Sequence, residues 1–437
     1  MDANIYLVSL GCDKNRVDGE TMVGTLINAG YSVINQPADA AVIIVNTCGF
    51  IREAVEESIN LILELSEFKT EGKCKGLIVV GCMAERYKDE ILEAIPETDV
   101  IAGVGDYEDI AATVGNITGG APSSKKTKHA RLAARADDPT PHIAYVKIAE
   151  GCDNHCTYCT IPSIRGPYKS RTMEDILEET KALTSAGAKE IVLVAQDTAL
   201  YGIDIYKQKK LPELLRLLAK ESGAAWIRLM YAYPEHITHE LIDTMAELPQ
   251  VCNYIDMPIQ HSENKIIKAM GRGGSKENLV KLITRLREKM PDIAIRTTLI
   301  VGFPGETSRD FENMRYFVRE MRFDRLGVFP YSREEGTPAA IMPKQVREST
   351  KQNRLAEVMD LQQRIHFGKQ ENKVSKVLEV IVDAVEADGS YTGRTRYDAY
   401  EVDSVVTFTA ENALTVGDIC NVEITDSHQY DLKGRTA

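Results

Sequence analysis

The chain opens with short, β-branched apolar runs separated by helical patterns. Ile5-Tyr6-Leu7-Val8, Val42-Ile43-Ile44-Val45, Leu77-Ile78-Val79-Val80 and Val100-Ile101-Ala102 are the runs. Between them apolar residues recur at helical spacing, as at Val55, Ile59 and Ile62-Leu63 in the stretch from Ala54 to Leu65. This alternation predicts a doubly wound parallel sheet with helices on both faces over residues 1–115. Residues 116–141 break the pattern with Gly119-Gly120, Pro122, Ser123-Ser124, Pro139 and Pro141. They also carry Lys125, Lys126, Lys128, Arg131 and Arg135, which suit either a solvated linker or contact with an acidic partner.

A second alternating series fills residues 142–343. Its strand candidates are Ala144–Ile148, Ile191–Val194, Ile227–Met230, Tyr254–Met257, Ile295–Val301 and Leu326–Phe329. Six strand–helix units are too few for a complete eight-unit barrel and predict a partial, TIM-like (β/α)6 barrel. Residues 344–373 read as a charged connecting helix or linker. From residue 374 to 437 the pattern becomes short alternating strands with turn signals at Asp388-Gly389 and Gly417-Asp418, which predicts a small antiparallel β-barrel. The chain as a whole is therefore of α/β class.

Composition narrows the function. The 437 residues are 43% hydrophobic and 27% charged, as in soluble globular proteins, with a formal net charge of −13. That charge argues against nucleic-acid binding by bulk electrostatics and suits a basic protein partner. No apolar run is long enough to span a bilayer, so no membrane association is expected. The start Met1-Asp2-Ala3-Asn4 lacks a basic leader region, and a cytoplasmic protein is expected. There nine cysteines, clustered in part, favour metal or redox chemistry over disulfides. Cys74, Cys252 and Cys420 lie outside the clusters and read as plain thiols.

The densest chemistry is Cys152, Cys156 and Cys159, spaced C-x3-C-x2-C on the loop after the first barrel strand. That loop belongs at the barrel's C-terminal mouth, where barrel enzymes place their chemistry. Three thiolates can hold three irons of a four-iron cluster and leave the fourth iron open. A structural zinc site is the alternative, but it needs a fourth ligand, and His155, adjacent to Cys156, would point away. Cys12, Cys48 and Cys82 each follow a predicted strand. In a parallel sheet those positions share one edge, where ligands bind.

The C-x3-C-x2-C loop, with Tyr158 before its third cysteine and a partial barrel behind it, resembles the radical S-adenosylmethionine enzymes. The resemblance implies that Cys152, Cys156 and Cys159 ligate a 4Fe-4S cluster whose open iron binds S-adenosyl-L-methionine, and that Tyr158 lies near the adenine. Gln196, Asp197 and Thr198, after the second strand, could then hold polar groups of this cosubstrate. Gly302 and Gly305, in Gly302-Phe303-Pro304-Gly305, would let the backbone approach its adenosine, although such a turn needs no function. His261 is either a substrate contact or an ordinary loop histidine.

Gly11-Cys12, Asn46-Thr47-Cys48-Gly49 and Gly81-Cys82-Met83 narrow the resemblance to the methylthiotransferase family. It implies a second 4Fe-4S cluster on Cys12, Cys48 and Cys82, and a C-terminal TRAM domain that recognises substrate. It also implies S-adenosyl-L-methionine as both methyl donor and radical source, a reducing electron donor, and two clusters across one cavity.

Cys12-Asp13-Lys14-Asn15-Arg16-Val17-Asp18 resembles the branch that modifies protein. So does Gly393 to Asp403, with Tyr400 and Ser404 departing from that branch's Pro and Gly. This implies methylthiolation of the β-carbon of an aspartate in small-subunit ribosomal protein S twelve. Residues 374–437 carry five basic and twelve acidic side chains, which disfavours tRNA, unless the acidity serves solubility alone. The alternatives are a tRNA-adenosine methylthiotransferase and a non-catalytic structural metal-binding protein.

Overall fold

A computed structural model describes residues 3–120, 129–137 and 140–437. It divides into two compact units. The first joins residues 1–139 to residues 150–153 and 159–168; the second holds residues 140–149, 154–158 and 169–437.

The first unit is built on a five-stranded sheet of β1 (Asn4–Ser9), β2 (Ser32–Ile34), β3 (Val42–Thr47), β4 (Gly76–Gly81) and β5 (Val100–Ala102). The order is β2-β1-β3-β4-β5, parallel throughout. β3 and β4 are buried along their whole length. Their side chains alternate between two cores, as the period of two in a strand requires. Ile43, Val45, Leu77 and Val79 pack with Ile62 and Leu65 of the helix Arg52–Glu71. Val42, Ile44, Ile78 and Val80 pack with Met22 and Leu26 of the helix Asp13–Asn28 and with Val114 of Ile110–Thr118. The doubly wound expectation is met. β2 escapes the sequence pattern because it is a three-residue edge strand with no fully buried side chain.

The segment read as a linker differs from its expectation. Helix Ile110–Thr118 runs past residue 115, and Ala130–Asp137 forms a 3-10 segment packed on helix Asp13–Asn28. Arg131 is buried and pairs with Glu20, and Arg135 is also buried. A solvated linker describes neither arginine. The Lys125, Lys126 and Lys128 part of that reading lies outside the described residues.

The second unit carries six parallel strands in sequential order: Ile143–Lys147, Glu190–Val194, Trp226–Leu229, Val251–Asp256, Ala294–Val301 and Arg325–Pro330. Each overlaps a predicted strand. Helices fill the connections, and the 24-residue helix Glu348–Glu371 packs on the last strand. Residues 377–436 close a five-stranded barrel around Val380, Val382, Phe408, Val422 and Ile424. The antiparallel expectation holds for four of its pairings, while Val406–Thr409 pairs with Asp431–Thr436 in parallel.

The small barrel docks on the beginnings of the large-barrel strands. Glu190, Trp226 and Arg325, each the first residue of its strand, bind Arg394, Glu379 and Asp398. The cysteine loop leaves from the opposite, C-terminal strand ends.

Candidate active site

Cys12, Cys48 and Cys82 leave the C-terminal ends of β1, β3 and β4. Cys12 is the N-cap of helix Asp13–Asn28, and Cys82 opens the short helix Cys82–Arg86. Glycines let their loops close on one another. A Cβ on Gly11 (φ +88°) would lie 2.7 Å from Cys48 Cβ and 2.9 Å from its Sγ. A Cβ on Gly49 would lie 2.7 Å from Met83 Cα. Both overlaps are below contact distance, so the sequence pairs each cysteine loop with a residue that lacks a side chain.

Buried amides tie the same loops. Asn15 Nδ2 donates to Leu10 O at 2.6 Å and to Thr47 O at 3.3 Å, while Asn46 Nδ2 donates to Asn15 O at 2.9 Å. Thr47 Oγ1 donates to Val80 O at 2.6 Å. Burial raises the Cys48 thiol pKa and pushes Cys82 up to about 11, against the lowering pull of Arg165. Arg165 Nε donates to Cys82 Sγ at 3.3 Å. Its own burial disfavours charge, but Glu150, Asp18 and Cys82 hold it protonated.

The donor set fits an iron–sulfur cluster. It consists of three thiols at one sheet edge, with a cation already on one sulfur to offset thiolate charge. Among the described residues no three His, Cys, Asp or Glu side chains converge on a single-ion site. A four-iron cluster places each thiolate on its own iron, so its ligands need no such convergence.

In the central loop, Gly151 (φ +71°) brings the backbone against Pro167, where a Cβ would lie 2.1 Å from the carbonyl oxygen. Cys152 N donates to Gly166 O at 3.1 Å, and Cys159 Sγ accepts from Ile161 N at 3.4 Å. Both cysteines belong to the compact unit that holds Cys12, Cys48 and Cys82. Cys156 belongs to the second unit, where its Sγ lies 3.3 Å from Tyr233 OH. Arg272 stacks 3.8 Å over the Tyr233 ring and pairs with Glu235. Tyr158 meets Phe303 edge-on at 6.4 Å, and burial raises its pKa. His155 takes a left-handed backbone, φ +44°.

The other expected contacts divide. Gln196 Nε2 is buried without a hydrogen-bond partner at the C-terminal end of the second strand, as are Gln260 Oε1 and Ser262 Oγ after the fourth, while His261 Nε2 lies 3.8 Å from Glu306 Oε2. Such atoms are costly unless a ligand meets them, which suits a polar cosubstrate. Asp197 instead accepts from Asn154 Nδ2 at 3.0 Å, meets His236 Nδ1 at 2.5 Å and accepts from Tyr233 N at 3.3 Å. Thr198 Oγ1 donates to Met230 O at 2.7 Å. Gly302 N donates to Glu306 Oε2 at 2.6 Å; Gly305 (φ +83°) has open space where a side chain would stand. Sequence reading missed Arg165, Tyr233 and Arg272. The available signal for Arg165 was one charged residue in the otherwise uncharged run Ile161-Pro162-Ser163-Ile164-Arg165-Gly166.

Three stretches match known family profiles: the Radical SAM superfamily over residues 146–318, Uncharacterized protein family UPF0004 over 4–103, and the TRAM domain over 374–436. Ribosomal protein uS12 methylthiotransferase RimO of Lachnoclostridium phytofermentans is 46% identical over 98% of this chain and 99% of that protein. The RimO of Desulforamulus reducens is 47% identical over 99% of each. The chain belongs to the RimO family. It is thus a radical S-adenosylmethionine methylthiotransferase, and the superfamily's iron–sulfur cluster and S-adenosylmethionine come with that membership. Among solved structures, the radical S-adenosylmethionine methyltransferase TsrM of Kitasatospora setae is similar in fold. Its TM-score is 0.56 at 14% identity, over 78% of this chain and 77% of TsrM. The cobalamin-dependent enzyme OxsB gives 0.52 at 12%, over 83% and 56%. Among the described residues no helix is long and apolar enough to cross a membrane.

Proposed function

We propose that this member of the RimO family methylthiolates the β-carbon of an aspartate in small-subunit ribosomal protein S twelve, in the cytoplasm, with electrons from a reducing donor. Cys152, Cys156 and Cys159 would hold one 4Fe-4S cluster and Cys12, Cys48 and Cys82 a second. When bound, the first supplies the electron that cleaves S-adenosylmethionine into a hydrogen-abstracting radical, and the second holds the sulfur for transfer. The chain's own residues orient and seal. Gln196, Gln260 and Ser262 offer polar atoms to the cosubstrate. Asp197 holds the cysteine loop through Asn154. The carrying observation is the meeting of the Cys12, Cys48 and Cys82 loops in the unit that also contains Cys152 and Cys159.

The protein substrate is supported by the relatives' names and by surface charge. In the small barrel Arg394 is buried and Arg396 is bound to the barrel carbonyls of Pro249 and Val251. Exposed basic residues are Lys376, Lys433 and Arg435, against exposed Glu386, Asp388, Glu401, Glu411, Asp426 and Asp431. That surface repels phosphate and attracts a basic protein. The deciding experiment reconstitutes the enzyme without oxygen, adds reductant and S-adenosylmethionine, and offers ribosomal protein S twelve and tRNA in parallel. A methylthio mass gain on the ribosomal protein is expected. A gain on tRNA alone would assign the chain to adenosine modification.

A further inference from the structure

Arg165 is buried, and every nitrogen of its guanidinium has a partner in one compact unit. Nε donates to Cys82 Sγ at 3.3 Å; Nη1 donates to Asp18 Oδ2 at 3.1 Å and Glu150 Oε1 at 3.0 Å; Nη2 donates to Asn15 Oδ1 at 3.4 Å. Two carboxylates would satisfy the cation alone. They grip one end of the planar fork, and that leaves the Nε–H aimed at sulfur. Arg165 ends the helix Ile161–Arg165, just beyond Cys159, and Gly166 (φ +71°) then turns the chain away. The segment that begins at a central-loop cysteine therefore terminates on the sulfur of an N-terminal one.

We propose that Arg165 is a positioning residue that raises the reduction potential of the cluster on Cys12, Cys48 and Cys82. The proposal rests on the two-cluster reading above. Three thiolates bring concentrated negative charge to a partly buried edge. A fixed cation and an N–H donor at one ligand sulfur favour the more negative, reduced state of the cluster, so its potential rises. Lysine can carry the charge but cannot hold a fork between Asp18, Glu150 and a sulfur at once. A purely structural ion pair would hold the loops together and leave the potential unmoved.

The test uses the full chain with Cys152→Ala, Cys156→Ala and Cys159→Ala, so that only the N-terminal cluster assembles. About four irons per chain are expected. A parent without iron overturns the two-cluster reading itself, and with it any role for Arg165 there. With iron present, a redox titration followed by electron paramagnetic resonance compares Arg165→Gln and Arg165→Lys with the parent. The expected result is a midpoint shifted to lower potential in Arg165→Gln, with a smaller shift the same way in Arg165→Lys. If Arg165→Gln fails to assemble, Arg165→Lys decides by its own shift. An unmoved midpoint at full iron content overturns the proposal.

Discussion

Arg228 Nε donates to Glu190 Oε1 at 2.6 Å, and neither side chain reaches solvent. Glu190 Oε2 lies 2.7 Å from Arg394 Nη2 of the small barrel, whose Nε in turn binds Asp383 at 2.8 Å. One carboxylate thus joins two cations from two different barrels. Glu190→Gln would leave Arg228 buried without its anion and Arg394 with Asp383 alone. Breaking a buried pair from one side costs about 3–5 kcal/mol, so a large fall in the unfolding midpoint is expected. A change below about 1 kcal/mol in urea or thermal melts would show that the junction does not depend on this charge.

The same carboxylate gives a pH signature. Burial pushes its pKa up, but Arg228 and Arg394 outweigh burial and lower it from 4.5 to about 2. A lowered carboxylate contributes stability that is complete above its unfolded value and is lost as the pH falls through the folded one. Stability should therefore decline between pH 4.5 and about 2, and Glu190→Gln should flatten that part of the curve. Parallel curves for the two proteins over this window would contradict the assignment.

Gly49 carries the third prediction. A Cβ there would meet Met83 Cα at 2.7 Å and Met83 N at 2.8 Å, which are backbone atoms that cannot step aside. Gly49→Ala should push the Cys48 and Cys82 loops apart at a strain cost of about 1–3 kcal/mol. Iron should fall from about eight to about four per chain while the barrels stay folded. Full iron content in Gly49→Ala would mean that the loop contact is not what gathers the thiols.

Much of this was legible from pattern alone. β3 and β4 announce themselves because unbroken β-branched runs are what a strand covered on both faces requires. The six large-barrel strands read equally well, and the cysteine positions followed from strand ends. What stayed hidden depends on distance in sequence. Nothing local to Arg165 points to Cys82, 83 residues away. Asp197 has the composition of a cosubstrate contact, yet its oxygens are taken by Asn154, Tyr233 and His236. Arg131 has the composition of a solvated linker and is buried against Glu20. The charge of residues 374–437 was also overread as surface, since Asp398 and Asp403 are spent on Arg325 of the large barrel.

Tyr233 should act on the central cysteine set. Its hydroxyl lies 3.3 Å from Cys156 Sγ, with Arg272 stacked on its ring. Tyr233→Phe removes one hydrogen bond, worth about 1 kcal/mol to stability, and keeps the ring under the guanidinium. Iron should remain at about eight per chain. The midpoint of the cluster that responds to S-adenosylmethionine should move to lower potential, because a thiolate sulfur loses its donor. An unchanged midpoint would reduce the contact to packing.

Asp197 separates two roles for one residue. A direct cosubstrate contact would, on conversion to Asn, raise KM for S-adenosylmethionine and leave the cluster spectrum alone. The bonds to Asn154 Nδ2 at 3.0 Å and Tyr233 N at 3.3 Å instead make it a clamp between the cysteine loop and the loop that carries Tyr233. An asparagine amide in place of the oxygen facing Asn154 and His236 would present a donor to a donor, since Asn154 Nδ2 has only protons to offer. Asp197→Asn should therefore alter the central cluster's paramagnetic spectrum and lower iron retention before it changes KM. The measurement is iron content and spectrum of the reconstituted variant, set beside steady-state kinetics. A raised KM with an unaltered spectrum would return Asp197 to the cosubstrate.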